Sequence, residues 1–206
     1  ISFMSVPRVE AATKTICGAG GGCNYETLTA AFGDSPAAGD VFQVEAGGMT
    51  AFPYSSASES WPINFPYTTT TVECIGGAVI GQPIVGSENR LYLSTGSTIQ
   101  DCTLGHVQLT SAPSHGSVSP DGIVIRDNVF STTVSSTINL GSVGAVRFLI
   151  QGNSNINFLG IASSTDGIIQ NNTFYGNQAG NGGAVILESS GTTSQLQFIG
   201  NTFTNY

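Results

Sequence analysis

Ile125-Arg126-Asp127-Asn128-Val129-Phe130 and Ile169-Gln170-Asn171-Asn172-Thr173-Phe174 are two statements of one phrase. An aliphatic residue is followed by two spacers, then Asn, then Phe two positions on. Ile150-Gln151-Gly152-Asn153 and Phe198-Ile199-Gly200-Asn201-Thr202-Phe203 state it again, and Ile99-Gln100-Asp101-Cys102-Thr103-Leu104 puts Cys in the Asn position. Positions 102, 128, 153, 172 and 201 are 26, 25, 19 and 29 residues apart. Such a period in a strand-like background marks a solenoid, in which each repeat is one turn of the chain. The expected fold is all-β: a right-handed parallel β-helix with a short N-terminal capping helix. Asn tolerates left-handed backbone angles, and its amide both donates and accepts. Asn128, Asn153, Asn172 and Asn201 are therefore expected to form a structural column at a bend, satisfying one another turn by turn. The Phe or Leu two residues on is expected to point inward.

Composition narrows the partners. Of 206 residues 40% are hydrophobic but only 9% are charged, against about 25% in an ordinary globular protein. An uncharged polar surface suits stacked turns, where like residues recur above one another. The net charge is −8, and the five basic residues Arg8, Lys14, Arg90, Arg126 and Arg147 are scattered. No nucleic-acid footprint is expected from such a pattern, nor tight binding to anionic lipid. No apolar run approaches the ~18 residues of a membrane-spanning helix.

Three segments are expected. Residues 1–12 read as a signal-peptide remnant or an N-terminal extension, with Val9-Glu10-Ala11 resembling a cleavage site. Residues 13–70 read as an N-terminal cap and first turns, and residues 71–206 as β-helix turns. The chain begins with Ile and stops just after a repeat phrase, which suggests truncation at the C-terminus of a longer protein. In the cap, Thr13–Cys17 is a short strand. Asn24 is the expected N-cap of a helix that places Leu28, Ala31 and Phe32 on one face, and Val41–Val44 is the next strand. Residues 51–70 read as irregular. Their Tyr54, Trp61, Phe65 and Tyr67 either cover the cap or offer flat faces to sugars. Gly76-Gly77-Ala78-Val79-Ile80 recurs as Gly182-Gly183-Ala184-Val185-Ile186, 106 residues later, close to four turns of the average period.

Cys17 and Cys23 bracket a Gly-rich loop, and Cys74 and Cys102 are about one repeat apart. Two disulfides in an extracellular compartment are the favoured reading. Zinc at the first pair and buried thiols at the second are the alternatives.

The order strand, Gly-rich loop, short helix, Ala38-Gly39-Asp40, strand resembles the N-terminal cap of pectin-lyase-like parallel β-helices. Phe174-Tyr175-Gly176-Asn177, Gly182-Gly183-Ala184-Val185 and Phe198-Ile199-Gly200-Asn201 resemble the FxxN and GGA(I/L/V) repeats of polymorphic outer-membrane proteins. These resemblances imply a secreted or surface-displayed β-helix, often an adhesin. The first also implies a fold that hosts polysaccharide lyases and glycoside hydrolases.

The catalytic patterns of that fold are poorly represented. The polygalacturonase elements reduce here to Ser164-Thr165-Asp166-Gly167 and an incomplete Gly105-His106-Val107. Asp121-Gly122-Ile123 and Asp166-Gly167-Ile168 repeat; they read as a carboxylate pair two turns, about 10 Å, apart, or as turns into strands. Arg126 beside Asp127 and Asp101 is the best candidate for a lyase base with acidic neighbours, and calcium is implied only in that case. Asp121, Arg126 and Asp166 are thus the weak catalytic candidates. His106 and His115 lack a partner set for a triad or metal site. Asn171-Asn172-Thr173 matches a glycosylation sequon, but it overlaps the Asn column and reads as a coincidence of the repeat.

The expected function is non-enzymatic structural or adhesive display to glycans or cell-surface partners. The alternatives are a carbohydrate-active enzyme and a self-assembling extracellular fibre subunit; the Thr-rich strands lack the regular Thr-x-Thr ladder of an ice-binding face.

Overall fold

The computed structural model describes residues 11–46, 54–66, 68–81, 89–105, 107–111, 120–131, 137–140, 147–162, 166–176, 185–188 and 195–204. They form a parallel β-solenoid. Its longest sheet has eight parallel strands, in chain order Thr13–Ile16, Val41–Glu45, Thr71–Ile75, Thr98–Gln100, Ile123–Arg126, Arg147–Gln151, Asp166–Gln170 and Leu196–Ile199. A second sheet stacks Ile63–Asn64, Arg90–Leu93, Gln108–Ser111, Thr137–Leu140, Phe158–Ala162 and Val185–Glu188. Short corner strands such as Thr103–Leu104, Val129–Phe130 and Thr173–Tyr175 join the two.

Alternation along each strand sends every second residue inward, and register turns those residues into columns. Phe42, Val72, Ile99, Ile125, Ile150 and Ile169 are fully buried on the long sheet, facing Leu91, Leu109, Ile138 and Leu159 on the second. The corner column runs Ile80, Leu104, Phe130, Ile156 and Phe174. Phe174 stacks on Phe203 with ring centroids 4.9 Å apart. After Asn153 the chain carries one extra residue, Asn155, at φ 60°, so Ile156 takes the place that Phe holds elsewhere.

The Asn column is a continuous hydrogen-bond ladder. The Asn153 Oδ1 accepts from both the backbone N–H and the Nδ2 of Asn128, each at 3.0 Å. Asn172 does the same for Asn153, and Asn201 for Asn172. Each Nδ2 also donates to a carbonyl one turn back: Asn128 to Ile99, Asn153 to Ile125, Asn172 to Ile150 and Asn201 to Ile169. The ladder ends at Cys102, whose N–H donates to the Asn128 Oδ1 and whose sulfur is bonded to Cys74 on the preceding turn.

One expectation is corrected here. The left-handed residue at the bend is not the column Asn but the residue before it. Asp101, Asp127, Gly152, Asn171 and Gly200 have φ between 54° and 66°. Asp, Asn and Gly are the residues that accept this region at least cost. The bend therefore needs two adjacent specialists, one for the backbone angle and one for the ladder.

The cap also departs from the expected detail. The helix spans Leu28–Gly33, and Thr27 is its N-cap, accepting from the Ala30 N–H at 3.0 Å. Asn24 instead ties down the first strand, its Oδ1 accepting from the Thr15 N–H at 2.8 Å. Glu59 reaches across and accepts from the N–H groups of Leu28 and Thr29 and from the Tyr54 hydroxyl. Tyr54 and Phe65 are buried and Phe32 packs on Phe42 and Phe65, so these aromatics close the solenoid end rather than present faces to sugars. The segment 51–70 is not wholly irregular, since Ile63–Asn64 is the first strand of the second sheet. Both disulfides, Cys17–Cys23 and Cys74–Cys102, are present.

Asp40 locks the cap to the first turns. Burial pushes its carboxyl up, but the N–H donors of Ala12 and Ala37 together with Lys14 outweigh this and hold it below the usual range. A lowered folded-state value stabilises the fold above the ordinary Asp range and is lost as pH falls through that value. Urea unfolding of Asp40→Asn should show a flatter loss of stability below about pH 4 than the parent. In the ladder, Asn153→Ala strands the Asn128 donors in a buried site and should cost about 2–3 kcal/mol in the same measurement. Asn201→Ala, at a half-buried rung, should cost visibly less.

Candidate functional site

The outward face of the long sheet is the most extended ordered surface among the described residues. Two rows of side chains cross it, one rung per strand. One row is Thr13, Val41, Thr71, Thr98, Val124, Leu149, Ile168 and Gln197. The other is Thr15, Gln43, Glu73, Gln100, Arg126, Gln151, Gln170 and Ile199. Seven strand spacings make each row about 34 Å long.

The second row is internally compensated. Gln43 donates to Glu73 at 2.6 Å, and Gln100 donates to the other carboxylate oxygen at 3.0 Å. The Gln100 carbonyl accepts two bonds from the Arg126 guanidinium, at 2.8 and 2.6 Å. One amide thus couples an anion and a cation two strands apart. Arg126 is bonded to Gln100 rather than to the expected carboxylates of Asp101 or Asp127, which occupy the left-handed corner beside it.

Asp121, Arg147 and Asp166 lie at the opposite end of the same strands. The Arg147 guanidinium forms a two-pronged pair with Asp121, at 2.7 and 2.5 Å. The Arg147 hydrogen bonds hold the Asp121 carboxyl below the usual range. Arg147 is also register partner to Asp166. Asp121 and Asp166 are therefore two strands apart with a guanidinium between them. Arg126 stands in register with Gln151, four residues from Arg147, roughly 13 Å along the strand. The three catalytic candidates do not converge.

The two Asp-Gly-Ile triplets are not equivalent. Ile123 pairs with Phe148, and Phe148 pairs with Gly167, so the second triplet is slipped by one residue. Gly122, at φ 74°, turns the chain into its strand, as a turn reading expects. Gly167 lies within a strand, and an added Cβ would sit 2.1 Å from the Phe148 ring. It is glycine because a ring occupies its side-chain space.

The other repeats also separate in register. Phe174 is buried on a corner strand, whereas Phe198 is half-exposed on the long sheet opposite Ile169, so the two FxxN phrases are different parts of a turn. Val79–Ile80 is a corner strand and Val185–Glu188 belongs to the second sheet, so the GGAVI repeat is not one structural unit. His106, His115, Tyr67, Asn177, Gly182–Ala184 and the proposed cleavage residues Val9 and Glu10 lie outside the described residues.

The phrase itself carried the missed signal. The residue after its aliphatic is Gln100, Arg126, Gln151 or Gln170, which is the outward row. Glu73 and Gln43, in turns without the phrase, left no such trace. Comparison of the chain with protein families, curated proteins and solved structures finds no match. Two disulfides fit an oxidising compartment, and among the described residues no helix is long and apolar enough to cross a membrane.

Exposed and buried positions of these strands should respond differently. Asp121→Ala removes a solvent-screened pair and should change unfolding free energy by less than about 1 kcal/mol. Gly167→Ala forces the Phe148 ring aside and should cost about 2 kcal/mol. Chemical denaturation of both variants measures the contrast.

Proposed function

We propose that the protein is a secreted or cell-surface β-solenoid whose role is structural or adhesive display, with the outward face of its long sheet as the presenting surface. The observation that carries this reading is the two-row face, in which aliphatic and Thr side chains run beside a hydrogen-bonded row of amides. Side chains already fixed by their neighbours lose little freedom on contact, which favours binding by a preorganised surface. Arg126 and Glu73 are compensated within the row, so the face suits a largely neutral partner such as an extended glycan. The likeness to pectin-lyase-like proteins is kept as one of architecture: stacked turns behind a cap of one short helix.

A lyase reading would need a free base, and the two guanidiniums of the long sheet are engaged with Gln100 and Asp121. Self-association is the second reading.

Incubation with neutral and uronate polysaccharides, with and without calcium, tests the main reading. Retention on a neutral glycan, weakened about tenfold by a mid-row Thr98→Arg, is the expected result, equal to about 1.4 kcal/mol. Release of unsaturated products or reducing ends, abolished by Asp166→Ala or Arg126→Ala, would replace it with a lyase or hydrolase. Sedimentation that depends on concentration would support the fibre reading.

A further inference from the structure

We infer that Asn171 is an acceptor for an N-linked glycan. Asn171-Asn172-Thr173 is the only Asn-x-Ser/Thr triplet in the chain. In sequence it is entangled with the Asn column, and the structure separates the two. Asn172 is the ladder rung, 1% exposed, with its amide bonded to Asn201 and Ile150. Asn171 is the left-handed corner residue, at φ 54°, and its side chain is exposed.

The surroundings of Asn171 favour a large substituent. The corner positions on the turns before and after it are Gly152 and Gly200, at φ 66° and 61°, so neither flanking turn places a side chain beside it. The Asn171 Oδ1 lies over Gly200, where an added Cβ would be only 2.6 Å away. The Asn171 backbone N–H donates to the Ile199 carbonyl at 2.9 Å, so the corner itself is fixed by main-chain bonding. A glycan here would leave from the corner, clear of the buried ladder and of the columns packed inside. Thr173, the hydroxyl residue of the triplet, is half-buried on the adjoining strand beside Thr202.

The chemistry is a transfer from a lipid-pyrophosphate-linked oligosaccharide, catalysed by a membrane oligosaccharyltransferase. The Asn171 Nδ2 forms a bond to the sugar anomeric carbon, and the bond from that carbon to the pyrophosphate oxygen breaks. The lipid pyrophosphate leaves with the electron pair, and the amide loses one proton. The two disulfides fit a compartment in which such a transfer operates. The inference does not depend on the display reading.

The test is translation of the full chain behind a cleavable signal peptide in the presence of endoplasmic-reticulum microsomes. The protease-protected chain should run more slowly on a gel, and peptide N-glycosidase should reverse the shift. Deglycosylation in heavy-oxygen water should leave its label at residue 171. Asn171→Gly, which copies the flanking corner positions and keeps the backbone angle, should abolish the shift, as should Thr173→Val. Thr173→Ser should keep it. A protease-protected parent chain without the shift, or a shift that survives Asn171→Gly, would overturn the inference.

Discussion

The whole structure depends on the in-register stacking of turns, and the Asn ladder is the interaction that fixes that register. Apolar columns alone tolerate sliding, because one aliphatic residue packs on another in several ways. An amide that must accept from two donors on the preceding turn and donate to a carbonyl of that same turn has a single solution. The 19-residue turn between Asn153 and Asn172 and the 29-residue turn between Asn172 and Asn201 share the same rung geometry. Differences in turn length are absorbed away from the ladder. The disulfide at Cys102 closes the ladder covalently where the preceding turn, with Gly76 and Gly77 at its bend, has no Asn to offer. Cross-linking across 28 residues restricts the unfolded chain by about 3–4 kcal/mol in the chain-entropy account.

Much of this was legible because a solenoid repeats its constraints. The phrase around Asn128, Asn153, Asn172 and Asn201 announced the period, the column and the inward Phe. What was misread has a common cause: residue identity does not specify register. Asp-Gly at 121 makes a turn, whereas at 166 the same pair lies in a strand under Phe148. Phe174 and Phe198 stand in the same written motif, but one belongs to the corner column and the other to the inward column of the long sheet. The capping helix was placed correctly, but Asn24 and Thr27 are both competent N-caps and only the fold decides between them. The hydrogen bond from Thr15 claims Asn24 first.

The outward face was the least legible part, because its logic runs perpendicular to the chain. Gln43, Glu73, Gln100 and Arg126 are spread over more than eighty residues of sequence yet form one hydrogen-bonded row. Charge on such a surface has to be neutralised between turns, and an amide does so without placing two like charges on neighbouring strands. The low charge content of the chain and the compensation of Glu73 and Arg126 through Gln100 are two expressions of that requirement. In the display role proposed above, a surface ordered in this way would hold a regular partner.

Side-chain amide hydrogen exchange, followed by NMR on the folded chain, tests the ladder most directly. The Nδ2 protons of Asn128, Asn153 and Asn172 should exchange as slowly as the backbone amides of the core strands, while those of Asn171 exchange at the rate of a solvent-exposed amide. Fast exchange at all four side chains, with the backbone strands still protected, would show that the turns are held in register by packing alone and would contradict the account.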